Sequence, residues 1–144
     1  MYEVERRRTI AAPPDKVKAA LQDVGHLNHL LPQAEKVEVR GVTADRARVM
    51  VALRIAPMGL QRVDGEARFL PNGLRFVAVH PMQVDAQWTV GAKGEGSEVT
   101  AYLRIQPGGL LQSFGRFLPR RPIENQIGQE LDASLQALTT IATE

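Results

Sequence analysis

The sequence predicts an α+β protein: a curved, seven-stranded antiparallel sheet wrapped on a long C-terminal helix, with two short helices between strands 1 and 2. Three observations carry this prediction. From Val37 to Ile105, apolar and polar residues alternate, and turn residues interrupt the alternation at the intervals of an antiparallel meander. From Ile123 to Ile141 the apolar residues recur every three or four positions instead. Between the opening strand and Pro32, a proline pair is followed by apolar residues at helical spacing.

Tyr2, Val4, Arg6, Arg8 and Ile10 share one face of the opening segment and Glu3, Glu5, Arg7 and Thr9 the other, so the first strand has a partly polar inner face. Pro13 and Pro14 stop it. Val17, Ala20, Leu21 and Val24 then place a helix over Pro14 to Asp23, because proline is tolerated in the first helical turn. Gly25 ends that helix, and His26 to Leu31 form a shorter helical piece stopped at Pro32. Val37 and Val39 open the second strand, and Gly41 to Asp45 turn the chain. Ala47, Val49, Val51, Leu53 and Ile55 give the third strand an apolar face. After the APMG break, Val63, Gly65, Ala67 and Phe69 oppose Arg62, Asp64, Glu66 and Arg68, a charged face that belongs in water. A Pro71-Asn72-Gly73 turn leads to Leu74 through His80. Met82, Val84, Ala86, Trp88 and Val90 mark the sixth strand, and after the GAKGEGS loop Val99, Ala101, Leu103 and Ile105 mark the seventh.

The apolar face of such a sheet must be covered. Ile123, Ile127, Leu131, Leu135, Leu138 and Ile141, with Glu124, Gln129, Glu130, Asp132 and Gln136 between them, make an amphipathic helix over Pro122 to Ala142. Its length, about 30 Å, matches the roughly 33 Å of a ten-residue strand.

With 144 residues the chain has the size of one domain, expected to span 1–144. Eighteen Lys and Arg against sixteen Asp and Glu leave a charge of only +2, which argues against a polycation that tracks nucleic acid. The absence of cysteine excludes disulfides, thiolate metal sites and a cysteine nucleophile, and it suits a reducing compartment. The opening MYEVERRRTI lacks the apolar core of a signal peptide, and nowhere do about eighteen apolar residues run together. A soluble, cytoplasmic protein is expected.

His26 and His29 lie at i and i+3, a spacing from which two imidazoles can chelate a metal. No third ligand stands nearby: His80 is remote and Glu35 follows the proline. The expectation is therefore no metal and no cofactor, with the histidines at the surface or on a pocket rim. Asp64, Glu66 and Asp85 fall in solvent-facing register, so the inner face offers almost no acid for general acid/base work. Arg8 has inward parity; it either meets a ligand carboxylate or phosphate or is a solvated arginine at a sheet end. In QPGGLLQSFGRFLPRRP, Gln106 to Pro122, the residues Leu110, Leu111, Phe114, Phe117 and Leu118 fit one helical face and Arg116, Arg120 and Arg121 the other side. Such a segment either docks on anionic lipid through residues 110–121, hinging at its glycines and prolines as a gate, or completes the core.

The stretches TIAAPPDKVKAALQDVGHLNHLLPQAEKVEV and RRPIENQIGQELDASLQALTTIA, in this order around a six-strand run, resemble the START-like superfamily of helix-grip proteins across essentially the whole chain. This superfamily includes polyketide cyclases/dehydrases and lipid-transfer domains. The resemblance implies a cavity between sheet and C-terminal helix that holds a hydrophobic small molecule such as a lipid, quinone or polyketide. Its expected lining is Val51, Leu53, Val63, Phe69, Trp88 and Leu103 on the sheet, and Phe114, Phe117, Ile123, Ile127 and Leu131 on the helical side, with Arg8 as the polar candidate. A cyclase/dehydrase-like enzyme using the same cavity, and an interaction module without ligand, are the alternatives. No nucleic-acid partner is expected, and oligomeric state stays open.

Overall fold

The alternation of the first ten residues becomes β1 (Tyr2–Ile10), with Tyr2, Val4 and Ile10 buried and Arg6 and Arg8 half-buried on the same face. The computed structural model of the chain describes residues 1–31, 34–55, 59–80, 82–106 and 120–144. After β1 comes α1 (Pro14–Gln22), which buries Val17, Ala20 and Leu21. Pro14 occupies the first turn, where its missing N–H has no helical acceptor to lose, and Asp15 places a carboxylate at the positive end of the helix.

Asp23 ends α1 and accepts a hydrogen bond from the Gly25 N–H at 2.9 Å, which starts a 3₁₀ turn over Val24–His26 and then α2 (Leu27–Leu30). His26 Nδ1 lies 2.9 Å from the Ala20 carbonyl oxygen. A carbonyl only accepts, so this nitrogen carries the proton and donates. His29 is exposed. The two histidines thus sit where one helix hands the chain to the next, and Leu27 and Leu30 supply the burial.

Six further strands follow: β2 (Ala34–Arg40), β3 (Arg46–Ile55), β4 (Gly59–Leu70), β5 (Gly73–His80), β6 (Gln83–Lys93) and β7 (Gly96–Gln106). They form one antiparallel sheet in the order β1-β7-β6-β5-β4-β3-β2, so β1 returns beside the last strand. The strand period reads through to burial, with Val49, Val51, Val63, Ala67, Leu74, Phe76, Val84, Ala86, Trp88, Val99 and Ala101 all facing inward. Outward residues pair across strands: Arg75 makes two hydrogen bonds to Asp85, of 3.0 and 2.8 Å.

The C-terminal helix, α3 (Arg120–Thr143), runs about 36 Å at 1.5 Å per residue and buries Ile127, Leu131, Ser134, Leu135, Leu138 and Ala142. It begins two residues before the expected Pro122. Its flank is tied to β1 by an ion pair between Arg6 and Asp132 (3.7 Å) and by a hydrogen bond that Arg8 Nη2 donates to Gln136 Oε1. The APMG break lies in part outside the described residues, and so does the helical face expected over Leu110 to Leu118.

Candidate functional site

Between α3 and the inner face of the sheet lies a partly open hollow of about 50 Å³. Its floor follows from the sheet register. Phe76, Ala86 and Leu103 form one row across β5, β6 and β7, and Ala78, Val84 and Ile105 form the next. A central alanine between two bulky neighbours leaves the floor low, and three of these side chains, Phe76, Ala86 and Leu103, line the space together with Val84, Ile105, Val51 and Leu53. Leu30 and Leu31 close one side, Trp88 another, and Glu130, Leu131 and Ser134 form the roof. Leu31, Leu103 and Glu130 are only half-buried, so they mark the side facing solvent.

Gly65 makes the Phe76 wall fit. A β-carbon there would stand 2.6 Å from the Val77 carbonyl oxygen and 2.7 Å from ring atom Cζ of Phe76, so the ring lies directly on the β4 backbone at the bulge beside Asp64. The polar part of the site is small. Trp88, 2 % exposed, donates its indole N–H to the hydroxyl of Ser134, 1 % exposed, at 3.0 Å. Glu130 stands one helical turn before Ser134 and accepts from Gln126 Nε2 at 3.2 Å.

Of the residues expected to line a cavity, Val51, Leu53, Trp88, Leu103 and Leu131 come together around this hollow. Val63 and Ile127 are buried in the surrounding core, and Phe69 and Ile123 pack against it. Phe114 and Phe117 lie outside the described residues. Arg8 does not line the hollow, because Gln136 holds its guanidinium on the flank of α3. Sequence reasoning left out Leu30, Leu31, Phe76, Val84, Ala86, Ile105, Glu130 and Ser134. Val84, Ala86 and Ile105 share parity with Trp88 and Leu103, so the alternation itself could have supplied them. Ser134 was findable too: it follows Ile127 and Leu131 at inward spacing, a polar residue on the buried stripe.

Several ionisable groups are displaced from their ordinary behaviour. The hydrogen bonds and charge of Arg75 hold the Asp85 carboxyl below the usual range. Lys36 does the same for Glu38, and the Thr43 hydroxyl with Arg46 for Asp45. The Glu3 carboxylate, accepting from Tyr102, raises that phenol. None of these four lines the hollow. Among the described residues no group of three or more His, Cys, Asp or Glu is placed to hold a metal ion. No helix among them is long and apolar enough to cross a membrane.

A sheet curled on a terminal helix, with two short helices after the first strand and an apolar hollow beneath the rod, defines a START-like helix-grip protein. The chain belongs to the family described as polyketide cyclase / dehydrase and lipid transport, whose model matches residues 1–143. Similar solved structures include TTHA0849 from Thermus thermophilus, at 23 % identity with a TM-score of 0.81 over 98 % of this chain and 97 % of that one. The Zhui aromatase/cyclase from Streptomyces sp. R1128 aligns at 19 % identity and TM-score 0.71, covering 98 % of this chain and 93 % of its own. A STAR-related lipid transfer protein from Xanthomonas axonopodis aligns at 18 % identity and TM-score 0.72, covering 99 % and 86 %. At these identities the structures establish a shared fold. No curated protein sequence matches the chain.

Proposed function

We propose that the protein binds or carries a hydrophobic small molecule, a lipid, quinone or polyketide, in the hollow between the sheet and α3. The observation that carries this reading is an unfilled space at the centre of the fold, lined by Val51, Leu53, Phe76, Ala86, Leu103 and Leu131. Protein interiors ordinarily close such gaps, since each lost contact forfeits dispersion energy. An apolar site with a few polar groups is what small-molecule binding requires. The family, whose description joins cyclase/dehydrase activity to lipid transport, supports the same use of the fold.

The volume sets the mode of binding. About 50 Å³ is a third of the roughly 150 Å³ that admits a benzene ring, so the hollow takes the end of a ligand while the remainder leaves past Leu31, Leu103 and Glu130. Burial of that end, at roughly 25 cal/mol per Å² less ordering costs, supplies the affinity. A second reading, an enzyme of the cyclase/dehydrase kind, is favoured by one observation: a carboxylate, Glu130, borders the space and could take a proton from a ligand.

The test is an Ala86→Leu variant, which adds three carbons to the middle of the floor. Titrated with the neutral apolar fluorophore N-phenyl-1-naphthylamine, the natural chain should bind and the variant should not, with both melting cooperatively. Equal binding by both would remove the hollow as the site. Peripheral contact with an anionic membrane through residues 110–121 belongs to the same proposal, supported by Arg120 and Arg121, exposed at the start of α3. Flotation with anionic liposomes should be lost in a Phe114→Ala/Phe117→Ala variant; equal flotation would oppose membrane contact.

A further inference from the structure

Building on the hollow as a ligand site, we propose that Ser134 is its specificity-determining residue, donating a hydrogen bond to a neutral carbonyl oxygen at the buried end of the ligand, and that the site rejects carboxylates and phosphates.

A serine hydroxyl has one proton to donate and lone pairs to accept. Trp88 uses the accepting side, because an indole N–H can only donate. The hydroxyl proton is left without an acceptor among the described residues: the bond from Trp88 is the hydrogen bond Ser134 makes. This is unusual for its setting. In the next turns of the same helix Thr139, Thr140 and Thr143 each donate back to a carbonyl four residues earlier, at 2.8, 3.2 and 2.6 Å. Helical hydroxyls commonly satisfy themselves in this way. Ser134 makes no such bond, and Trp88 holds its oxygen at the wall of the hollow.

The side chains of Leu30, Val51, Phe76, Ala86 and Leu131, which share the lining with Ser134, carry no acceptor, and the one lining carboxylate, Glu130, takes its hydrogen bond from Gln126 and none from the serine. The group that completes the site is therefore an acceptor brought by the ligand. A neutral carbonyl suits it: one hydrogen bond, little desolvation cost, and a head small enough for about 50 Å³. An anion does not. No cation lines the hollow among the described residues, since Arg6 and Arg8 are engaged with Asp132 and Gln136 on the flank of α3. The charged group that does border the space is the Glu130 carboxylate, on the half-exposed side, and it repels an entering anion. A ligand acid buried there would be an unpaired charge, the costliest arrangement available.

Three probes of nearly one shape separate these elements: acetophenone, ethylbenzene and benzoate, titrated at neutral pH and followed on backbone amides and on the indole N–H signal of the sole tryptophan. Acetophenone should bind roughly three- to tenfold more tightly than ethylbenzene, the worth of one hydrogen bond, and benzoate more weakly than either. In Ser134→Ala the preference for acetophenone should vanish while ethylbenzene affinity is retained. If Ser134→Ala fails to fold, a Trp88→Phe/Ser134→Ala variant, which leaves no orphaned indole N–H, should show the same loss of preference. Equal binding of acetophenone and ethylbenzene to the natural chain, a preference surviving removal of the hydroxyl, or benzoate binding best would each overturn the inference while leaving the hollow as an apolar site. Binding of none of the three would overturn the hollow as a binding site, and this inference with it.

Discussion

At the scale of single residues, the bond from Trp88 to Ser134 is where packing and site chemistry meet. It ties sheet to helix through two side chains that are almost wholly enclosed. Ser134→Ala removes the acceptor and leaves a buried donor unmatched, at a cost of about 1–3 kcal/mol. Calorimetry should show the melting temperature fall by about 3–10 °C, with part of the loss recovered when Trp88→Phe is added. Asp85 acts on the opposite face. Its carboxyl is depressed first by the hydrogen bonds from Arg75, so the ionised form is preferred in the folded chain. Such a group contributes stability that is present above its unfolded value of about 3.9 and lost as pH falls through the lower folded value. The pair is partly exposed, with side chains 36 % and 26 % accessible, which keeps its worth below about 1 kcal/mol. Asp85→Asn should therefore melt slightly earlier than the natural chain at neutral pH, and the difference should shrink towards zero in melts taken below pH ~4. A difference that persists into acid would show that the bond, not the charge, matters.

At the scale of elements, two glycines that both lack room for a β-carbon should respond oppositely to alanine. Gly65 is bounded by the Val77 carbonyl and the Phe76 ring, neither of which can yield without shifting β5. Gly128, in the middle of α3, is covered by the Arg6 guanidinium, whose Cζ would stand 2.8 Å from the new carbon. That group is the end of a flexible side chain. Gly65→Ala should lower the melting temperature and disturb the Phe76 wall, whereas Gly128→Ala should hold or raise it, because alanine favours helix by up to about 1 kcal/mol over glycine once Arg6 swings aside. The elements were legible in the sequence because their periods were unambiguous: alternation across Ala47 to Ile55 or Val84 to Val90, and three-four spacing from Ile127 to Leu138. More than half of the candidate site was not. Leu30 and Leu31 reach the hollow because α2 packs against α3, a placement that no local pattern encodes. Arg8 shares the inward parity of its strand, and its guanidinium donates to Gln136 on the flank of α3, a partner that parity alone does not specify.

At the scale of the whole molecule, a sheet curled around a helix leaves its centre to be filled by whatever side chains the inner rows supply. Here those rows place Ala86 between Phe76 and Leu103, and the space above it is the reason for proposing a ligand. Family membership constrains the fold around the proposed site, while the chemistry proposed for it rests on the few side chains at its wall. The most direct measurement is native mass spectrometry of the 15.9 kDa chain purified from its own source, followed by organic extraction of anything retained. The expected result is an added mass that is apolar, carries a neutral carbonyl and is absent from the Ala86→Leu variant. A bare chain mass in both proteins, or the same adduct on both, would contradict it.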